Sequence, residues 1–332
     1  CWLGPQAVVL LADAIKFMAA LTSIVLDENE LSGTKIECKG ESYERIEQLD
    51  ADLSGFTEFC SSLKSSTIVS LSLRKCYLGP QALGLLADAI KLMGAVTSIN
   101  CLANKFGEDD LATLLTAIEG TSIRSLCGLT EGQTTADFSK QNLKPIDCKI
   151  IAAEFGFRGF IGALNSLKCA NNPGMVGELE YGELKTPDAH AEVFKQLTDN
   201  LKTSQVTEVD FSSCGIGPVA LGHLSEWVRD AEGAIARLSL AENHLIQGRP
   251  VESQEEYDQY GDYMPDYAGF TPLCESLKGT KITELNLSQC GLDVSATSSL
   301  ADAIKFMGAV NSMTVDSTGN MRDQKTYTLT AG

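Results

Sequence analysis

The sequence contains few of the residues on which most enzymes and nucleic-acid-binding proteins depend. Only three histidines occur among 332 residues, and they fall in different sequence units, which argues against a metal or catalytic histidine set. Lysine and arginine number 26 against 44 acids, for a net charge of −18. This charge argues against binding to nucleic acid or to an anionic membrane, because both are bound through basic residues. It is compatible with a protein partner, and a basic one would be favoured by charge.

Long apolar runs and nucleotide-binding motifs are also missing. No window of about 18 apolar residues occurs, so no membrane-spanning helix is predicted. No Gly-x-Gly-x-x-Gly segment follows a strand pattern, and the chain has no Walker loop, Gly-x-Ser-x-Gly or His-Glu-x-x-His. We therefore expect a non-enzymatic function, with no catalytic residues, no cofactor and no metal.

Paired cysteines are absent although single cysteines are common. The eleven cysteines are scattered, and no Cys-x-x-Cys pair occurs. An odd number of scattered cysteines favours free thiols over a disulfide framework, and so a reducing, cytoplasmic compartment. Redox sensing by Cys76, Cys214 and Cys290 is an alternative, but these three recur at one position of a repeat, which favours a structural role.

Self-similarity is the most abundant signal in the sequence. The segment "LGPQALGLLADAIKLMGAVTSINC", which begins at Leu78, recurs from Leu3 and, less closely, from Leu292. Each copy joins an apolar stripe of helical spacing, such as i, i+3, i+4 and i+7 from Leu86, to an alternating strand pattern. A helix followed by a strand is therefore the predicted repeating unit.

The strand part of each unit follows one template: apolar, two spacers, apolar, spacer, apolar, two spacers, Asn or Cys, spacer, apolar. Copies begin at Leu21, Ile68, Val96, Leu164, Val206, Ile235 and Ile282, with a degraded copy at Val310. The Asn or Cys at the ninth position is expected to satisfy backbone groups where the strand turns away. Neighbouring copies without an insertion are spaced by 27–29 residues.

This template resembles the leucine-rich repeat, and its length resembles the ribonuclease-inhibitor-like class of that family. The resemblance implies an α/β solenoid, or horseshoe, with a parallel β-sheet on the concave face and α-helices on the convex face. It covers nearly the whole chain, so residues 1–332 are predicted to form a single solenoid.

The repeats are themselves repeated on a larger scale. Subtracting 214 places residues 235–310 on residues 21–96 without a gap. The predicted organisation is supermodule 1 at about 1–122, an irregular middle at about 123–205, and supermodule 2 at about 206–332. In the middle, the strand pattern at Ile123 leaves no room for a helix before the next strand at Thr134. A normal helix is then expected from about Pro145.

Each supermodule carries a 23-residue acidic insertion, at 32–54 and 246–268. The second insertion also concentrates tyrosines, so tyrosines would anchor a partner while acids steer it. The candidate partner-binding residues are Glu255, Glu256, Tyr257, Asp258, Tyr260, Asp262, Tyr263 and Tyr267. One alternative is a solvated loop that is tolerated because loop length costs little entropy. Another is a calcium site, although the acid spacing differs from that of an EF-hand.

The exposed template positions predict a second candidate surface on the concave face. Positions three, five, seven and eight point away from the core, and they are short-chained, serine-rich and mildly acidic. Glu208 and Asp210 are the candidate binding residues there. A solvated polar sheet face is the alternative.

These observations favour a protein–protein interaction scaffold or a subunit of a larger assembly. The family resemblance leaves two alternatives: a regulator like the Ran GTPase-activating proteins, or the ligand-sensing repeat domain of an innate immune receptor. The chain opens on a helix stripe with no preceding strand pattern, and its end, "QKTYTLTAG", predicts one further short strand. We therefore also expect it to belong to a longer chain or a larger assembly.

Overall fold

The computed structural model describes residues 3–38, 44–156, 160–231, 234–260, 263–316 and 325–330. In these residues the fold is mixed α/β, with mostly parallel strands. The helices are α1 Pro5–Ile15, α2 Ser54–Leu63, α3 Pro80–Ile90, α4 Glu108–Ile118, α5 Pro145–Gly156, α6 Ala191–Leu201, α7 Pro218–Asp230, α8 Gln254–Tyr260, α9 Phe270–Leu277 and α10 Val294–Ile304, with 3-10 turns at Phe160–Ala163 and Pro173–Met175. The strands are β1 Ser23–Val25, β2 Lys35–Cys38, β3 Glu44–Gln48, β4 Ser70–Ser72, β5 Ser98–Asn100, β6 Thr135–Asp137, β7 Ser166–Lys168, β8 Glu178–Glu180, β9 Glu183–Thr186, β10 Glu208–Asp210, β11 Arg237–Ser239, β12 Gln247–Pro250, β13 Tyr263–Pro265, β14 Glu284–Leu287, β15 Ser312–Asp316 and β16 Thr326–Thr330.

The chain divides into two compact units. Unit 1 comprises Cys1–Gln133 with Ala153–Ile161, and unit 2 comprises Thr134–Ala152 with Gly162–Gly332. Unit 1 contains a parallel sheet in the order β1-β4-β5. Unit 2 contains a seven-stranded sheet in which β6-β7-β10-β11-β14-β15 are parallel and β16 pairs antiparallel with β15. Parallel neighbours need a crossover connection, and the helices between the strands supply it.

The strands predicted from the template are confirmed. The predicted starts at Leu21, Ile68 and Val96 correspond to β1, β4 and β5, and those from Leu164 to Val310 correspond to β7, β10, β11, β14 and β15. The strand predicted at Ile123 is reduced to isolated bridges, from Ser98 to Ser125 and from Asn100 to Cys127. No helix follows it before β6 in these described residues, as predicted from the short spacing.

The core of each unit lies between its sheet and its helices. The central residue of each short strand faces the helices and is buried, as at Leu71 and Ile99 in unit 1 and at Val209 and Leu238 in unit 2. These residues are paired in register across the sheet. Each buried side chain of this size contributes roughly 2 kcal/mol to the stability of the fold. The flanking strand residues lie on the opposite, more open face of the sheet.

The asparagine at the ninth template position ties each repeat to the one before it. Asn243 accepts hydrogen bonds from the backbone N–H groups of Cys214, at 3.1 Å, and Ile216, at 3.0 Å. Its amide donates to the carbonyls of Phe211, at 2.8 Å, and Leu240, at 3.0 Å. The equivalent bonds are made by Asn104 in unit 1 and Asn172 in unit 2. The ninth position therefore satisfies the backbone where the strands end, as the template predicts.

Cysteine at the same position makes a related bond. The thiols of Cys76, Cys214 and Cys290 donate to carbonyl oxygens of the preceding repeat, at 3.0, 3.1 and 3.1 Å. Burial raises the pKa of Cys76 and of Cys290 to about 12, so both are protonated donors at neutral pH. The nine cysteines whose side chains the structure describes are buried. Low reactivity and a repeated structural role follow from this burial.

Replacement of Asn243 by alanine is expected to destabilise unit 2 by roughly 3 kcal/mol, because buried N–H and C=O groups lose their partners. The free energy of unfolding is measured in denaturant, and hydrogen exchange is measured at the amides of Cys214 and Ile216. Asn286→Ala is the control, because among the described residues its side-chain oxygen accepts from Ser288 alone, two positions away. Equal stability of the two variants would contradict the role of Asn243.

A buried carboxyl group occupies the irregular repeat of unit 1, where the helix is missing. Glu154 of α5 is 1% exposed, and one of its oxygens accepts from the N–H of Leu126 at 3.0 Å. Its other oxygen has no hydrogen-bond partner among the described residues. Burial raises the pKa of Glu154, while hydrogen bonds from Ser125 and from Leu126 and Cys127 oppose that shift.

The raised pKa of Glu154 predicts that unit 1 loses stability as the pH rises. Above the ordinary value of 4.5, the unfolded chain releases this proton while the folded chain retains it. The contribution is therefore fully present below pH 4.5 and is lost as the pH rises through the folded pKa, by at most about 1.4 kcal/mol per pH unit. Glu154→Gln is expected to remove this slope in unfolding free energies measured from pH 4 to 8. The exposed control Glu58→Gln should retain it, and a slope unchanged by Glu154→Gln would contradict the assignment.

Candidate protein-binding surface

The two acidic insertions, predicted as loops, are folded β-hairpins. In the first, β2 pairs antiparallel with β3, and in the second, β12 pairs antiparallel with β13 around α8. Their bases close in the same way. The N–H of Asp52 donates to the carbonyl of Ser32 at 3.0 Å, and the N–H of Asp266 donates to that of Ile246 at 2.8 Å. These residue pairs are related by the 214-residue repeat, so the duplication preserved the base of the hairpin.

A third hairpin, β8–β9, was not predicted from the sequence. It lies in the connection between β7 and α6, and a two-residue turn of Tyr181 and Gly182 joins its strands. Both turn residues have positive φ, at 52° and 89°. This conformation suits a tight hairpin, and glycine at the second position was the signal in the sequence. Tyr181 is 76% exposed at the tip.

Two of these hairpins hold the start of a helix in the next repeat. After β2–β3, the Asp50 carboxylate accepts from the backbone N–H groups of Gly79, Gln81 and Ala82 at 2.9–3.0 Å. The first N–H groups of a helix have no partner within the helix, and a carboxylate there also interacts favourably with the helix dipole. The hairpin thus supplies the N-terminal cap of α3.

The same cap forms at α7 after β8–β9. The Asp188 carboxylate accepts from the N–H groups of Gly217, Val219 and Ala220 at 2.7, 2.6 and 3.1 Å. Burial raises the pKa of Asp188, and the three amide donors oppose that shift. The side chain of Asp188, next to the hairpin, therefore links the hairpin to the start of the following helix by hydrogen bonds.

The third case, at α10, uses a different residue. The repeat places Met264 where Asp50 stands, and Asp293 where Gly79 stands. Asp293 is itself the N-cap and accepts from the N–H of Ala296 at 2.8 Å. Its carboxylate also accepts a hydrogen bond from the hydroxyl of Tyr267. Tyr267, which was predicted to contact a partner, thus makes a bond within the fold, and its partner contact stays a prediction.

The other predicted residues of the second insertion are partly described. Glu256 forms a two-point ion pair with Arg249, at 2.8 and 3.2 Å, and this pair holds the pKa of Glu256 below its usual value. Tyr257 and Tyr263 are 51% and 40% exposed. The side chains of Glu255, Asp258 and Tyr260, and all of Asp262, lie outside the described residues.

The sheet face of unit 2 places the two remaining predicted residues, Glu208 and Asp210, on β10 among other charged and polar side chains. Arg237 of β11 lies between two acids, 3.6 Å from Glu208 and 3.1 Å from Glu284. Asp210 accepts from the N–H of Ser212 at 3.0 Å. A shallow groove of about 320 Å³ follows this face. Its lining is polar and half exposed, so it presents hydrogen-bonding groups without an apolar anchor.

Two further findings apply to the described part of the chain. No group of three or more His, Cys, Asp or Glu side chains there is placed to hold a metal ion. None of the helices there is long and apolar enough to cross a membrane.

Comparison with known proteins gives only distant similarity. No protein-family model matches the chain, and none of the curated proteins does. It is similar to the solved structure of Leiomodin-1 Actin-Binding Site 2 (ABS2), with 12% identity, coverage of 47% of this chain and 75% of that chain, and a TM-score of 0.26. It is also similar to a chain of the Rad7 and Elc1 complex in yeast, with 13% identity, coverage of 90% and 74%, and a TM-score of 0.29. Similarity this low specifies neither function nor overall shape.

Replacement of Asp188 by alanine tests the cap formed by the hairpin. The expected result is a loss of about 1–2 kcal/mol in unit 2, because three amides lose their acceptor. Hydrogen exchange at Val219 and Ala220 should accelerate. Glu180→Ala is the control, because its ion pair with Lys185 is half exposed and such pairs contribute about 1 kcal/mol or less. Unchanged exchange at the start of α7 would contradict the proposed cap.

Proposed function

We propose that this chain is a leucine-rich-repeat solenoid of the ribonuclease-inhibitor-like class that serves as a non-enzymatic protein–protein interaction scaffold. The parallel pairing of the template strands and the asparagine bonds between repeats support the fold assignment. Stacked repeats, each packed mainly against its neighbours, form a long surface, and such a surface suits a scaffold. The hairpins, rather than the sheet face, are the proposed principal contact surface.

The positions of two hairpins in unit 2 carry this proposal. The hairpin β8–β9 follows β7, and β12–β13 follows β11, with only β10 between those parallel strands. Both hairpins therefore follow the carboxyl ends of parallel strands, on the same side of the sheet, and these two strands are about 10 Å apart. Together they expose three tyrosines, Tyr181, Tyr257 and Tyr263. Tyrosine is enriched among residues that dominate interface energies, because it buries a large area and keeps a polar group.

The charge of the two hairpins favours a basic partner. Glu178, Glu180 and Glu183 lie on β8–β9 with Lys185, and the insertion 246–268 adds six acids against Arg249 as its only arginine or lysine. Acids around exposed tyrosines attract a basic surface over long range, and the tyrosines then fix it at short range. The sheet face with Glu208 and Asp210 is proposed as a secondary, polar contact.

The experiment is affinity capture with the intact chain and with a variant in which Tyr181, Tyr257 and Tyr263 are replaced by serine. Because all three are exposed at 40% or more, the variant is expected to keep its fold. Partners bound by the intact chain should lose at least tenfold in affinity for the variant, as expected for interface anchors. Binding should also weaken as salt is raised, since charge attracts the partner.

Tyr327→Ser is the matched control, since Tyr327 on β16 is exposed to the same 51% as Tyr257 but lies outside the hairpins. Its binding should equal that of the intact chain. Equal capture by the triple variant would exclude the hairpins as the contact surface. Loss of capture with Tyr327→Ser would indicate that binding depends on exposed aromatic side chains in general.

A further inference from the structure

The hairpin β8–β9 is packed on the body of unit 2 through one apolar face. Leu179 and Leu184 pair in register across it, and both are half-buried. Leu184 lies so close to Gly177 that a side chain at Gly177 would collide with it, and a Cβ at Gly174 would lie 3.1 Å from Leu179. The Asp188 carboxylate, two residues after β9, holds the start of α7. The hairpin is therefore preorganised, which lowers the entropic cost of binding to it.

The outer edges of this hairpin carry backbone groups that the hairpin itself does not use. Across a two-residue turn, the flanking residues Glu180 and Glu183 are the pair that exchanges hydrogen bonds. The next pair, Leu179 and Leu184, then directs its N–H and C=O groups outward. Within the described residues this sheet has two strands only. Because β8 packs beside the turn Pro173–Met175, β9 is the more open edge.

The edges of the other two hairpins are better protected against pairing. In the second insertion both strands end in a proline, Pro250 and Pro265, which has no N–H to donate. In the first insertion β2 begins with Lys35, and lysine at an edge discourages pairing. The strand β9 contains no proline, and its Lys185 is drawn to Glu180 at 3.1 Å. Since folded proteins usually protect free strand edges, an edge left open points to a strand that covers it.

The side chains of the hairpin define which strand would fit. Successive residues of a strand point to opposite faces, so the face opposite the two leucines carries Glu178, Glu180, Glu183 and Lys185, all of them exposed. A strand added beside β9 would place alternate side chains on each face. Basic side chains would match the acidic face, and apolar ones would lie beside Leu184 on the other.

We propose that β9 binds its partner by strand addition, and that the partner supplies an extended segment in which basic and apolar residues alternate. The backbone N–H and C=O of Leu184 pair with the added strand, the glutamates of the outer face pair with its basic side chains, and Leu184 packs on its apolar ones. This inference rests on the proposed function, in which the hairpins are the contact surface, and it specifies the mode of binding and the sequence pattern that is bound.

Two synthetic octapeptides of identical composition test the proposal on the full chain. One alternates lysine and valine, and the other has four lysines followed by four valines. At saturation the alternating peptide should slow hydrogen exchange of the Leu184 amide by about tenfold or more, because an N–H in a ladder bond exchanges only when that bond opens. The block peptide carries the same charge, so it should leave this amide unchanged. A third peptide that alternates glutamate and valine should not bind.

Leu184→Pro removes the outward N–H while leaving the bonds between Glu180 and Glu183 in place, and proline is tolerated at an edge position of this kind. Leu184→Ala is the matched control, because it removes the same side chain and keeps the N–H. The alternating peptide should bind Leu184→Pro about tenfold more weakly than Leu184→Ala, since a hydrogen bond is lost. Unchanged exchange of the Val219 amide, which Asp188 accepts from, shows that the hairpin keeps its place in both variants.

Strand addition would be overturned by any one of three results: no binding of the alternating peptide, equal protection of Leu184 by the alternating and block peptides, or equal affinity of the two variants. Equal binding of the glutamate peptide would overturn the basic character of the partner segment. None of these results alters the capture of partners by the intact chain or its dependence on the three tyrosines. Failure of this inference is therefore distinguished from failure of the proposed function.

Discussion

The fold depends on one interaction, the hydrogen bonds that a buried asparagine or cysteine makes to the backbone of the preceding repeat. A strand that leaves a parallel sheet exposes amides and carbonyls that neither the sheet nor the next helix can satisfy. Asn243 satisfies four of them at once: the N–H groups of Cys214 and Ile216 and the carbonyl of Phe211 in the preceding repeat, and the carbonyl of Leu240 in its own. Because these bonds join consecutive repeats, they also fix where each strand ends. The insertions therefore all follow the carboxyl ends of the strands.

Much of this arrangement was predictable because its causes are local. Alternation at the template positions gives the strands, helical spacing gives the helices, and the ninth position gives the turn. The features that the sequence did not reveal depend on distant residues. Asp50 and Asp188 cap helices whose N-cap glycines, Gly79 and Gly217, lie 29 residues later, and no local pattern identifies the partner of an exposed-looking acid. The hairpin at Tyr181 was missed because its strands are only three and four residues long and each contains a single apolar residue, Leu179 or Leu184.

The residues of the candidate surface were likewise only partly predictable from the sequence. Composition identified the insertion 246–268 correctly as rich in acids and tyrosines, but composition does not say which way a side chain points. The hydroxyl of Tyr267 bonds to Asp293, and Glu256 is engaged by Arg249, whereas Tyr257 and Tyr263 are exposed. Tyr181, which sequence reasoning did not select, is the most exposed of the described tyrosines.

The two ways of capping a helix have an evolutionary consequence. In one repeat the carboxylate is Asp50 of the hairpin and the N-cap residue of the helix is Gly79, whereas in its duplicate the hairpin carries Met264 and the N-cap residue is Asp293. One carboxylate suffices for the amides, and two would place like charges together. The two positions should therefore covary among descendants of this gene, with an acid gained at one wherever it is lost at the other. Deleting a hairpin that carries the acid would leave the next helix without its cap. Where the acid stands at the start of the helix instead, the hairpin can change in length and sequence without that loss.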